Sequence, residues 1–116
     1  MNADFKIRGR AARIILDYQR YDGSLAFIHP QDLAGVPIKA LIDRFPKADW
    51  QALSDVPYGC ANQAGEDTRK VARMASLLAG LSVEVPGAAI NRLCRSSPDA
   101  LRRAAHSIKS GEASIL

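Results

Sequence analysis

An α/β fold built on a largely parallel sheet is what this sequence predicts, on two observations. Short apolar, partly β-branched runs alternate along the chain with stretches whose apolar residues recur every three or four positions. That is the order expected of strands joined by crossover helices. In addition, no repeat, low-complexity run or Pro/Gly/Ser-rich linker divides the 116 residues, so a single unit around one core is expected.

The elements follow in chain order. The run AARIIL at residues 11–16 is apolar enough for a short buried strand, although its length also admits a helical turn. Asp22-Gly23 marks a turn, and Pro30 suits the first turn of a helix because its missing N–H would be unpaired there anyway. The helix is expected over residues 31–44, where Leu33, Val36, Ile38, Ala40 and Leu41 keep helical spacing and Pro46 stops it. Pro37 inside it predicts a kink. Residues 55–60 form a short β-prone run before a polar loop at 62–66. Asp67 or Thr68 is expected to cap a helix reaching about Leu78, with Val71, Met74, Ala75 and Leu78 on one face and Gly80 as the left-handed terminator. Residues 85–93 make a candidate buried strand. Ser96 and Ser97 supply capping hydroxyls for a helix predicted over residues 98–110, with Pro98 and Asp99 in its first turn and Gly111 as its end. Residues 113–116 resemble the opening of another strand, so the chain reads as truncated rather than finished.

Composition narrows the function classes. The apolar runs are far shorter than the roughly 20 residues of a membrane-spanning helix, and no leader pattern opens the chain. A reducing cytoplasm fits the two cysteines, Cys60 and Cys94, which lack the paired spacing of a zinc or redox site; no metal is expected. The formal charge of +4 allows anionic partners. However, no aromatic residue interleaves the groups around Arg69 and Arg92 to stack on bases, so solvated helix faces are the plainer explanation.

Three stretches, QDLAGVPIKALIDRFP, YGCANQAGEDTRKVARMASLLAGL and VPGAAINRLCRSSPDALRRAAHSIKSGEA, together resemble the amino-terminal part of thiolases (acetyl-CoA acyltransferases). The likeness is nearest to the degradative 3-oxoadipyl-CoA (beta-ketoadipyl-CoA) group, and it runs in order from Arg20 to Leu116. It implies a partial thiolase fold, an incomplete βαβαβαβ amino-terminal half with a mixed, largely parallel sheet. Residues 1–19 would be a divergent segment and 20–116 a truncated thiolase amino-terminal domain. In the family the Asn-Arg-Leu-Cys stretch carries the nucleophile, which makes Cys94 of Asn91-Arg92-Leu93-Cys94 the carried-over acyl-thioester residue. Elementary chemistry agrees, since a cysteine just ahead of a helix amino terminus lies at the positive end of the dipole, where thiolate is favoured. The implied reaction is thiolytic cleavage of a 3-oxoacyl-CoA through acyl-Cys94. Coenzyme A would be a substrate, no cofactor would be held permanently, and the partners would be acyl-CoA together with further copies of the chain or a missing carboxy-terminal half.

Departures from the family pattern set the remaining expectations. Thiolases continue after the cysteine with Gly-Ser-Gly, whereas this chain has Arg95-Ser96-Ser97-Pro98. Arg95 and Ser97 add side chains at glycine positions, and Pro98 would hold Ser97 extended. The family's Asn-Glu-Ala-Phe loop, its histidine segment and its second cysteine find no counterpart, so the chain alone is expected to be inactive. His29 and His106 are read as surface or packing residues and Cys60 as a small buried one. Two alternatives remain beside the inactive fragment. One is the nucleophile half of a split thiolase. The other is a small basic phosphate- or nucleic-acid-binding module using Arg92, Arg95, Arg102, Arg103 and Lys109; nucleic acid is the less expected partner.

Overall fold

The computed structural model describes residues 6–7, 27–61 and 70–116. The expected strand at 11–16, the turn at Asp22-Gly23, the loop at 62–66 and the caps at Asp67 and Thr68 lie outside these residues. Within them the order is helix α1 (Pro30–Arg44), a 3₁₀ turn (Trp50–Ala52), strand β1 (Pro57–Gly59), helix α2 (Val71–Leu78), strand β2 (Ala88–Ile90) and helix α3 (Ser96–Ser110). The strands pair in parallel, with Pro57, Tyr58 and Gly59 opposite Ala88, Ala89 and Ile90. With α2 between them they form the strand–helix–strand unit that the alternation predicts. Among the described residues no helix is long and apolar enough to cross a membrane.

Pro30 opens α1 as expected, with His29 as N-cap, and the helix runs on through Pro37 to Arg44. Asp32 in its first turn and Arg44 in its last complement the helix dipole. Helix α2 begins at Val71 with Lys70 at the N-cap and no capping side chain. Its end matches expectation, because Gly80 has φ 94°, Gly80 N–H reaches the Leu77 carbonyl, and Leu81 N–H reaches that of Ser76. This pairing satisfies carbonyls that a helix end leaves open. Gly111 ends α3 in the same way, with φ 82° and bonds from Gly111 and Glu112 N–H to Ile108 and Ser107.

Three expectations are corrected. The strand predicted over 85–93 is formed only at Ala88–Ile90. Before it, Gly87 lies so close to α2 that a Cβ would stand 2.8 Å from Arg73 N; after it, Asn91 turns the chain. Helix α3 starts at Ser96, not Pro98, with Arg95 as N-cap and no capping hydroxyl. Pro98 is therefore its third residue, where an N–H has no intrahelical partner to lose, and Ser97 is helical instead of extended. The strand expected at 113–116 is not formed; one bond, Ser54 N–H to the Ile115 carbonyl at 3.0 Å, ties that segment to the body, and a ladder needs successive bonds.

Among the described residues two apolar groups stand out in the core. Ala34, Val71 and Ala75 meet where α1 crosses α2, with Tyr58, Cys60 and Ala89 packed against them. Leu53, Leu81 and Val85 form the second group under Trp50, Val56 and Ile42. Arg73 ties α2 to the loop before β2 by donating from its guanidinium to the carbonyls of Val83 and Val85. The sequence pattern gave no sign of this bond, because it spans a turn whose carbonyls become open only when the chain folds back on α2.

Candidate active site

Between β2 and α3 the chain makes a tight turn that presents Cys94. Asn91 Oδ1 accepts from Leu93 N–H at 3.0 Å, a local side-chain turn typical of Asn. Leu93 then adopts φ 49°, a left-handed conformation that costs a branched residue about 1–2 kcal/mol. Arg95 N–H bonds to the Arg92 carbonyl at 3.0 Å, and Ser96 N–H to that of Leu93 at 3.1 Å. The Ser96 hydroxyl closes the turn from inside. It donates to the Leu93 carbonyl at 2.6 Å and accepts from Arg92 N–H at 2.8 Å, and the residue is buried. Cys94 is exposed on the outside of this turn, two residues before the first residue of α3.

Ser96 was expected as a capping hydroxyl; the structure instead uses it as the brace of the turn. Local sequence could not distinguish these roles, because both need a serine at a helix start and only the left-handed Leu93 decides between them. Arg95, which stands where the thiolase pattern has glycine, has φ −105°, an ordinary conformation for a residue with a side chain.

Gly59 is the residue the sequence reading overlooked. A Cβ there would lie 2.4 Å from Ser97 N and 2.6 Å from Ser96 C, so β1 and the start of α3 meet backbone to backbone. The only signal was a glycine inside a short β-prone run, which marks close approach as readily as a turn. Beside it, burial is the first cause and the nearby Cys60 the second that raise the Tyr58 hydroxyl above its ordinary value. An apolar cavity of about 330 Å³ opens between α1, β1 and α2, lined by Leu33, Ala34, Pro37, Tyr58, Cys60 and Val71 among others.

Charge gathers on α3. Asp99, 7% exposed, takes Arg103 Nε on one oxygen at 2.8 Å and Arg92 Nη1 on the other at 3.2 Å. The hydrogen bond from Arg103 above all, then the charge of Arg103 and the bond and charge of Arg92, hold its carboxyl below the usual range against partial desolvation. His106 is exposed farther along α3 and His29 caps α1; neither is on the turn that holds Cys94. Cys60 follows β1, half-buried, with its N–H on the Ile90 carbonyl at 2.9 Å.

Residues 11–116 match the family model described as the thiolase N-terminal domain. The chain belongs to the thiolase family. It is 56% identical over 99 residues to a beta-ketoadipyl-CoA thiolase of Acinetobacter baylyi, covering 85% of this chain and 25% of that protein. It is 57% identical over 97 residues to a beta-ketoadipyl-CoA thiolase of Pseudomonas knackmussii, covering 84% and 24%. A 3-oxoadipyl-CoA/3-oxo-5,6-dehydrosuberyl-CoA thiolase of Escherichia coli is 53% identical over 97 residues, covering 84% and 24%. This thiolase chain therefore spans about a quarter of the length of the curated relatives it matches. The small α/β arrangement with its parallel strand pair accords with part of a thiolase N-terminal domain.

Proposed function

We propose that this chain supplies the acyl-accepting segment of a thiolytic cleavage, with Cys94 as nucleophile toward a 3-oxoacyl-CoA such as 3-oxoadipyl-CoA. The observation that supports it is the exposed Cys94 on a turn braced by Ser96 and ending in helix α3. In this reading Cys94 Sγ, having given up its proton to a base, attacks the 3-oxo carbon. The bond between the 2- and 3-carbons breaks, its electron pair takes up a proton at the 2-carbon, and acetyl-CoA leaves. The shortened acyl group stays on Sγ until the thiol of a second coenzyme A displaces it. Of the chain, whose residues 11–116 match the family model, residues 20–116 are the unit that keeps the family's motifs and 1–19 a segment divergent from them, and the protein acts in the cytoplasm.

The chain holds two histidines, His29 and His106. One caps α1, and the other lies ten residues beyond the start of α3, a rise of about 15 Å. Neither histidine stands on the turn beside Cys94, so in this reading a base comes from another polypeptide segment, and the 116-residue protein alone is expected to be inactive. The similarity covering only a quarter of the relatives favours a carboxy-terminal thiolase half as that partner.

The test combines the purified chain with the separately expressed carboxy-terminal three-quarters of the Acinetobacter relative and adds 3-oxoadipyl-CoA. Acetyl-CoA release and intact mass are then followed, with Cys94→Ala alongside. Turnover and an acyl adduct on Cys94 are expected in the mixture, with neither from the chain alone nor from the variant. A folded complex that carries no adduct on Cys94, or one that turns over equally well with Cys94→Ala, would overturn the proposal.

A further inference from the structure

Helix α3 and the turn before it share a second feature, on a face that Cys94 does not line. Arg95, Pro98, Asp99 and Arg102 occupy one stripe of the helix at three- and four-residue spacing, and Arg92 reaches over it from the preceding turn. Together they line a cleft of about 210 Å³. Arg92, Arg95 and Arg102 line the cleft together with one carboxylate, that of Asp99. Both oxygens of that carboxylate are already engaged, one by Arg92 and one by Arg103. Among the described residues Arg95 and Arg102 have no ion-pair partner, and both are exposed. Asp99 therefore positions Arg92 at the edge of the cleft without neutralising its other two arginines. Guanidinium groups present a planar fork of donors that matches a tetrahedral oxyanion, and they stay charged at every physiological pH.

We propose that the cleft formed by Arg92, Arg95 and Arg102 is a binding site for a phosphate group. Its excess positive charge favours a dianion over a single carboxylate, and the space accommodates one phosphate rather than a long polyanion in an enclosed groove. This site does not depend on the acyl-transfer reading, because Cys94 does not line the cleft.

The test is titration of the isotope-labelled full chain with inorganic phosphate at low ionic strength, followed through the side-chain Nε–H signals of its arginines. Adenosine 5′-monophosphate serves as a second arm and sodium chloride at matched ionic strength as reference. Saturable shifts at Arg95 and Arg102 are expected with phosphate, and Arg95→Ala or Arg102→Ala should each weaken binding roughly two- to fivefold. Lys39→Ala, which removes an exposed lysine of α1, should leave binding unchanged. Tighter binding of the nucleotide would identify a phosphate on an organic carrier as the ligand, and equal binding would identify the free ion; either supports the site. Shifts no larger than those with chloride would overturn it, as would undiminished affinity in an Arg95→Ala/Arg102→Ala double variant whose circular dichroism matches the parent.

Discussion

Around β1, α2 and β2 the chain is held by apolar burial and by backbones in near contact, whereas from Asn91 to Ser96 it is held by hydrogen bonds around a strained residue at the surface. The first region has Val71, Ala72, Ala75 and Val85 almost wholly inside. In the second, only Ser96 is buried, and Leu93 stands 72% exposed. The difference separates two kinds of tolerance. A close-packed region resists any added atom, while a hydrogen-bonded turn tolerates a change of side-chain size but not the loss of a donor or acceptor.

The seam between the two regions offers the hardest test. Gly59→Ala places a methyl group on the backbone of Ser96 and Ser97, neither part of a flexible side chain that could swing away. It is expected to destabilise the protein by about 2–3 kcal/mol in denaturant unfolding; an unchanged midpoint would mean that β1 and α3 do not meet this closely. Ser96→Ala tests the turn itself. It leaves Arg92 N–H without its acceptor and removes one bond to the Leu93 carbonyl, at a cost of about 1–3 kcal/mol by the same measurement. Because the serine is small, an effect near zero would show that water takes its place without penalty.

Much of the first region was legible in the sequence and much of the second was not. Helix spacing, Pro30, Gly80 and Gly111 announced α1, α2 and the end of α3, because these signals act through local backbone geometry. Cys94 was placed by family likeness to the Asn-Arg-Leu-Cys stretch, and the turn that presents it was hidden. The left-handed Leu93 has no sequence signature, since leucine is a residue that ordinarily avoids that conformation. The strand predicted over 85–93 was too long for a similar reason. An apolar run does not reveal that its first residues will lie against α2, or that Asn91 will turn the chain out of the sheet.

Weaker effects sharpen the contrast further. Asp99 has its folded-state value lowered, so its contribution to stability is full above the ordinary carboxylate value of 3.8 and is lost as the pH falls through the lower folded value. Unfolding midpoints measured from pH 6 downward are expected to decline below that range, and Asp99→Asn should flatten the decline. The smallest change is expected from Leu93→Gly. Relief of the left-handed strain is largely offset by the extra freedom glycine brings to the unfolded chain, for a net gain of about 0.5 kcal/mol. A clear loss would mean that the exposed leucine makes contacts that offset its backbone strain.

Ile38 belongs to neither comparison alone. It packs against the group formed by Ala34, Val71 and Ala75 and also against that of Leu53, Leu81 and Val85. A side chain shared in this way makes the two groups thermodynamic neighbours, so neither can melt while the other keeps all of its contacts. The strand–helix–strand unit and the α1 layer are accordingly expected to unfold as one cooperative transition, with probes at Trp50 and in α2 reporting the same midpoint.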